Sequence, residues 1–190
     1  VRYFEKMYED MPTNENKYAY ISALQANGQT DRALHQMDEL LKKFSKNLIL
    51  NITKSEILLS GQRLNEAQEN IDQVLNIAPG NYPASIIKSK ILSSKKEFIK
   101  AEEILRDLLI GKNRDPGLWI QLSEVQRAGK NIVGYHLSRG EYYTLIGDFD
   151  NALNQFQFAL GLSGNSFQTS ETIMTKIKFA KERLGKRRGF

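Results

Sequence analysis

Alanines and larger apolar residues recur along the first part of the chain at a fixed interval. Ala33, Ala67 and Ala101 follow one another with a 34-residue spacing, and apolar residues follow each of them at offsets of four, seven and eight. A leucine stands nine positions before each alanine. Offsets of three and four place side chains on one face of a helix. The pattern therefore predicts pairs of amphipathic helices that repeat with the same period as the alanines.

The stretch 140–160 carries this design in its most complete form. Gly140 and Ala152 are small, as is required where two antiparallel helices cross at close range. Gly147 can adopt the left-handed conformation that ends a helix, and Asp148 can cap the next one. With the 34-residue period, the pattern resembles the tetratricopeptide repeat (TPR) family. The resemblance implies an all-α fold, a right-handed α-solenoid of TPR helix hairpins.

Turn residues and prolines set the expected boundaries. We predict a lead-in helix in residues 1–13, a repeat array in 14–162, and a capping helix with a basic tail in 163–190. The cap should begin at Ser170 or Thr172 and end near Leu184. In the array, the pattern predicts helices over residues 14–27, 30–44, 48–60, 64–77, 82–94 and 98–110 before the fourth repeat, and over 149–162 at its end.

The fourth repeat departs from the period. Tyr135 stands where an alanine is expected, and Ala152 follows Ala101 by one and a half periods. Only one helix fits between Gly129 and Gly147. That helix must be the second of the fourth repeat and also the first of the fifth, so the array has about four to five repeats with one shared helix.

The net charge of +5 is concentrated at the C-terminal end. From Lys176 onward, seven basic residues face one acid, Glu182, which leaves a net charge of −1 for the rest. A basic helix terminus is favoured by the helix dipole, so we interpret the tail as a solvated helix end. Contact with nucleic acid or an anionic surface is a weaker alternative, and we expect no nucleic-acid partner.

The sequence contains no recognisable catalytic site. Its two histidines, His35 and His136, are far apart, and neither begins an H-E-x-x-H motif. Phosphate-binding loops and nucleophile elbows are also missing, and the absence of cysteine excludes disulfides and thiolate metal sites. No apolar run approaches the ~18 residues of a membrane span. We therefore predict no catalytic residue, metal site, cofactor or membrane span in this chain.

TPR arrays usually bind proteins, because the first helices of successive repeats line a groove. Three positions in each first helix are expected to face that groove. The candidate partner-binding residues are Tyr18, Ser22, Gln25, Ile52, Glu56, Leu59, Ile86, Lys90, Ser93, Ile120, Glu124 and Arg127.

The segment around the shared helix has a second resemblance. His136, Arg139, Glu141 and Tyr143, followed by Gly147, Ala152 and Leu160, resemble the last repeats of periplasmic metallopeptidases of the beta-barrel assembly-enhancing protease type. The aromatic residues and methionine before Pro12 are also similar to the lead-in of that family. The signature residues of that family would be His136, Arg139, Glu141 and Tyr143. A simpler role for them is to fix the shared helix against its neighbours.

This second resemblance implies a function for the whole protein. The chain would be the non-catalytic C-terminal half of a periplasmic zinc metalloendopeptidase, with the zinc in a separate peptidase domain. Its partners would be that domain, the outer-membrane assembly machinery or unfolded barrel substrates. The alternative is a free-standing TPR adaptor of a pilus, secretion or envelope-assembly complex.

Overall fold

The structure, a computed structural model, describes residues 1–164 and 166–188, with side chains to residue 186. Every regular element in these residues is an α-helix. The helices are α1 Arg2–Asp10, α2 Asn14–Ala26, α3 Thr30–Lys43, α4 Leu48–Ser60, α5 Leu64–Ile77, α6 Tyr82–Ser94, α7 Phe98–Lys112, α8 Pro116–Ala128, α9 Ile132–Leu145, α10 Phe149–Leu162 and α11 Phe167–Arg188. The predicted bounds of α4, α5, α6 and α10 are confirmed to the residue.

The chain divides into two compact units. The first, Val1–Lys95, contains α1 to α6, and the second, Lys96–Phe190, contains α7 to α11. The predicted turn at 163–165 includes Asn165, which lies outside the described residues. The side chains of Arg187 and Arg188 in the basic tail also lie outside them.

The periodic alanines of the first unit lie in its core. Ala33 and Ala67 are both 0% exposed, as are Ile21 and Leu24 on the helix that pairs with α3. The lead-in helix α1 packs on α2, where the rings of Tyr8 and Tyr20 stack with centroids 6.4 Å apart. Small residues at the alanine positions allow the paired helices to approach closely, as the 34-residue pattern predicts.

Helix N-termini repeat with the same period as the core alanines. The residue before each first helix places a side-chain oxygen 2.8–3.1 Å from a backbone N–H of the first turn, which caps that helix. These capping residues are Thr13, Asn47, Asn81 and Asp115, each one period after the last. The caps explain why the first helices begin in register.

The turn inside each helix pair contains one residue with left-handed backbone conformation. These residues recur with the same period and are Gly28, Gln62, Lys96 and Lys130, with φ between 59° and 70°. Gly147 has φ 79°, as predicted. Gly61 and Gly129 lie one position before the left-handed residues of the second and fourth repeats and have φ near −80°.

In the second unit, α9 packs against both α8 and α10, which confirms the prediction of a shared helix. Each contact uses a glycine. A Cβ on Gly134 would lie 2.8 Å from the Gln126 amide nitrogen of α8, and a Cβ on Gly140 would overlap the Phe156 ring of α10. Two glycines on α9 thus let one helix lie close to two neighbours.

The prediction for the start of the capping helix is wrong. α11 begins at Phe167, so Ser170 and Thr172 lie within it. Ser170 shares a hydroxyl hydrogen bond of 3.0 Å with Ser163, and the Thr172 hydroxyl donates to the Gln168 carbonyl. The Ser170 hydroxyl thus pairs with a side chain that follows α10, and the Thr172 hydroxyl pairs with the backbone of α11 itself, so neither caps the start of the helix.

We expect Gly140→Ala to destabilise the protein by about 1–3 kcal/mol, because the new methyl group would overlap the fully buried Phe156 ring. This loss opposes the gain of ~1 kcal/mol in helix propensity. Denaturant unfolding of the full chain measures the difference. Gly161→Ala in α10 is the matched control, since its Cβ would meet nothing within 4 Å. Equal stability changes in the two variants would contradict the close helix crossing.

We expect Gln62→Gly to raise the free energy of unfolding by roughly 0.5–1 kcal/mol. Only glycine adopts a positive φ without steric cost, and Gln62 has φ 59°. The reciprocal substitution Gly28→Gln should lower stability by a similar amount at the equivalent turn position. The same unfolding measurement applies, and a loss of stability in Gln62→Gly would refute this explanation of the turns.

Candidate partner-binding surfaces

The first helices of the first unit lie side by side. The Tyr18 hydroxyl of α2 shares a hydrogen bond of 3.1 Å with the Thr53 hydroxyl of α4, and α4 also contacts α6. This side-by-side arrangement follows from the repeat. Each second helix packs on one side of its first helix, so the first helices of the unit form a common face.

An apolar cleft of about 480 Å³ opens where α2, α3 and α4 meet. We call it the unit 1 cleft. It is lined by Asn14, Glu15, Tyr18, Leu40, Phe44, Asn47, Ile49 and Leu50. Ile49 is 68% exposed and Phe44 is 42% exposed, so two large apolar side chains are available to a partner.

The other predicted binding residues of this unit are placed differently. Ser22 and Lys90 are exposed, whereas Gln25 and Glu56 are half-buried. The Ser22 hydroxyl donates to the Tyr18 carbonyl at 3.0 Å. The structure places Ile52 differently from the prediction. It was expected to line the groove, but it is 8% exposed and belongs to the core.

The burial of Ile52 has a structural reason. α4 lies between two other first helices, α2 and α6, so the middle of its outward face is covered on both sides. Ile86 of α6 is equally buried at 8% exposure. Ile52 belongs to the core cluster of the first unit, and little of either isoleucine side chain is exposed.

Sequence reasoning missed Phe44 and Ile49. A usable signal was present for Ile49, which lies one helical turn before Ile52 and one repeat period after Glu15, and both Ile49 and Glu15 line the cleft. Phe44 follows α3 and lies outside the periodic positions, so no repeat pattern identifies it.

In the second unit, two of the three predicted residues of α8 form an ion pair. Arg127 donates to the Glu124 carboxylate at 2.5 Å, and both side chains are exposed. Because the residues are three apart on one helix, their charges neutralise each other locally, and a pair of this kind contributes ~0.5 kcal/mol or less. Their role in binding stays a prediction.

The signature residues of the shared helix α9 make contacts within the second unit. The His136 ring nitrogen Nδ1 lies 2.8 Å from Gln155 Oε1 of α10, and its ring lies 5.3 Å from that of Phe158. Glu141 forms an ion pair with Lys176 of α11. These contacts join α9 to the two helices that follow it.

Arg139 is held by the aromatic residues of its own helix. Its guanidinium donates to the Tyr143 hydroxyl at 2.7 Å and lies 5.0 Å and 5.6 Å from the ring centres of Tyr143 and Tyr142. Its Nε atom is buried and has no hydrogen-bond partner among the described residues. Stacking on two electron-rich rings offsets part of this cost.

A polar network that includes the loop before α9 fixes the start of this helix. Ser138 donates to Gln126 at 2.7 Å, and Gln126 and Asn131 donate to Glu102 of α7. Burial alone would raise the pKa of Glu102, but hydrogen bonds from Gln126, Arg106 and Asn131 outweigh it and lower the pKa below its usual value. The network ties α7, α8 and α9 together, and no sequence pattern indicated it.

Neither a metal site nor a membrane span is found among the described residues. No cluster of three or more histidine, cysteine, aspartate or glutamate side chains there has an arrangement suited to a metal ion. None of the helices in that part of the chain is both long and apolar enough to cross a bilayer. His35 is exposed beside Glu39 on α3.

Known structures share the fold. A tetratricopeptide repeat protein from Parabacteroides merdae is 16% identical with a TM-score of 0.59, covering 94% of this chain and 75% of its own. MamA from Desulfovibrio magneticus is 13% identical with a TM-score of 0.62, covering 90% and 95%. A thermophilic TPR protein of Thermus thermophilus is 18% identical with a TM-score of 0.54, covering 87% and 99%.

No protein-family model and no curated protein matches the chain. The structural similarities confirm the all-α TPR repeat fold. In repeat folds of this kind, stacked helix pairs form one extended surface.

We expect the second unit to lose stability as the pH falls below the usual glutamate pKa of about 4.3. Because the folded pKa of Glu102 is lowered, its contribution is complete above the unfolded value and is lost as the pH falls through the folded value. Glu102→Gln should reduce this acid sensitivity, measured as the denaturation midpoint at several pH values. Glu103→Gln is the exposed control. An unchanged pH profile in Glu102→Gln would contradict the role of the network.

Proposed function

We propose that this chain binds another protein through the unit 1 cleft. The observation that carries the proposal is the exposure of Ile49 and Phe44 beside Tyr18 in a shallow, mainly apolar cleft. Binding affinity usually concentrates in a few apolar and aromatic side chains in such a site. Burying the exposed part of Ile49 contributes about 25 cal/mol for each Å² of apolar surface removed from water.

The polar rim of the cleft indicates what kind of segment it accepts. Asn14 and Asn47 line the cleft, and the Asn47 Oδ1 atom is already used to cap α4 through the Leu50 N–H. The Asn47 amide NH₂ therefore remains as a donor. An apolar side chain in the cleft, with its backbone carbonyl near this donor, fits the arrangement.

We further propose that the chain is the non-catalytic half of a periplasmic zinc metallopeptidase that acts in outer-membrane protein assembly and quality control. The support is the set of signature residues on α9, namely His136, Arg139, Glu141 and Tyr143. The zinc ion would belong to the peptidase domain. The partners would be that domain, the assembly machinery or unfolded barrel proteins.

The coding sequence ahead of Val1 tests this parent protein. An in-frame H-E-x-x-H segment would support the metallopeptidase, since two histidines one helical turn apart hold zinc. A lipoprotein signal directly ahead of the repeats would instead favour the adaptor of an envelope-assembly complex. The cleft proposal does not depend on which of these is found.

We expect Ile49→Glu to reduce recovery of the partner from envelope extracts at least tenfold, because a charge in the apolar cleft opposes burial. Recovery is measured by quantitative mass spectrometry against the unsubstituted chain. Ile77→Glu is the matched control, since Ile77 lies outside the cleft and is 69% exposed, against 68% for Ile49. Equal recovery with the two variants would refute the cleft proposal. Recovery of cytosolic chaperones only would refute the periplasmic parent protein.

A further inference from the structure

Helix α11 occupies the position of the first helix of another repeat. One repeat period after Gly140 and Gly147 stand Met174 and Lys181. The left-handed turn that ends a first helix would therefore fall at Lys181. Instead, α11 remains helical from Phe167 to Arg188. The residues that would turn back and form the second helix continue α11 itself.

The side of α11 that a second helix would cover is partly exposed. Gly140 and Tyr143 precede Met174 and Ile177 by one period. Gly140 packs against Phe156 of α10, and Tyr143 packs against the core cluster that contains Phe156. Met174 is 49% exposed, and Ile177 is half-buried. Their exposed surface has no equivalent of α10 in the described part of the chain.

A cleft of about 480 Å³ lies at this side, between α10 and α11. Its apolar floor is formed by Leu160, Met174 and Ile177, and Gln157, Lys178, Lys181 and Glu182 also line it. We call it the α11 cleft. It differs from the unit 1 cleft because its charged rim is mainly basic.

The two rim lysines are available to a partner. Lys178 and Lys181 are exposed, and their side chains form no ion pair or hydrogen bond within the described chain, whereas Lys176 is already paired with Glu141. One carboxylate, Glu182, partly offsets their charge. An approaching segment with carboxylates beside an apolar stripe would complement both features.

We infer that the α11 cleft binds an amphipathic helix of a partner protein, with small and apolar residues on one face and acidic residues beside it. The inference rests on the proposed function of the chain as an interaction module, but not on the unit 1 cleft. The partner helix would take the place of the missing second helix and cover Met174 and Ile177. Helix-in-groove binding of this type uses apolar anchors one turn apart.

Met174 has a larger side chain than Gly140, the equivalent residue of α9, but it is still compatible with a helix packed against it. In the first repeat, the equivalent position holds Ile21, which is 0% exposed beneath the paired helix that carries Ala33. A branched residue is thus accommodated when the facing residue is small. Methionine has three rotatable bonds and adapts to a partner surface more easily than isoleucine.

The test uses the full chain and two labelled synthetic helical peptides of equal length. Both carry alanine and leucine on one face, and the flanking residues are glutamate in one peptide and lysine in the other. We expect the glutamate peptide to bind at least tenfold more tightly, measured by fluorescence anisotropy at physiological salt. Equal affinity for the two peptides, or no binding of either, would overturn the inference.

Variants locate the binding site. Met174→Glu should weaken binding of the glutamate peptide at least tenfold, and the double variant Lys178→Glu with Lys181→Glu should reverse the peptide preference. The matched control is Arg183→Glu with Lys186→Glu, which changes the charge of α11 equally outside the cleft. Equal losses in the two double variants would show attraction to the whole basic tail and would overturn the inference. Circular dichroism establishes that each variant is folded.

Competing occupants are tested in the same assay. Tighter binding of phosphatidylglycerol vesicles or a single-stranded oligonucleotide than of the glutamate peptide, dependent on Lys178 and Lys181, would overturn the inference in favour of that ligand. The unit 1 cleft is tested separately. If partner capture depends on Ile49 but neither peptide binds, only the α11 site is refuted.

Discussion

The close crossing of paired helices at a small residue is the contact on which this structure depends. Ala33, Ala67, Ala101 and Ala152 are all 0% exposed, and each allows a neighbouring helix to approach within side-chain contact. Since packed interiors tolerate few voids, the size of these residues determines the distance between helices. That distance in turn determines which positions of the first helices remain open to a partner.

The shared helix α9 shows what happens when this contact is required on two sides. Gly134 and Gly140 allow close approach to α8 and α10, and the Ser138, Gln126 and Glu102 side chains satisfy one another beside the first contact. A buried polar network that is fully hydrogen-bonded specifies one arrangement of its helices. These contacts therefore fix the position of α9 relative to α7 and α8.

Much of the fold could be predicted because its signals are local and periodic. The small crossing residues, the apolar offsets and the turn at Gly147 determine the helix pairs and the sharing of α9. The site was less accessible to prediction. Exposure depends on neighbouring helices, so Ile52 was assigned to the groove although it lies in the core of the first unit. The left-handed position of the turn was also hard to locate from the sequence, because Gln62 adopts that conformation and the glycine before it, Gly61, does not.

The half-period step at α9 also constrains how such a chain can change in length. Adding or removing whole repeat units ahead of α9 preserves the alternation between first and second helices downstream. A change of half a unit reverses that parity, so that α11 would stand in the place of a second helix and its partly exposed Met174 would no longer flank an open position. Which helix faces stay exposed therefore depends on whether whole or half repeats are added, as well as on the number of repeats.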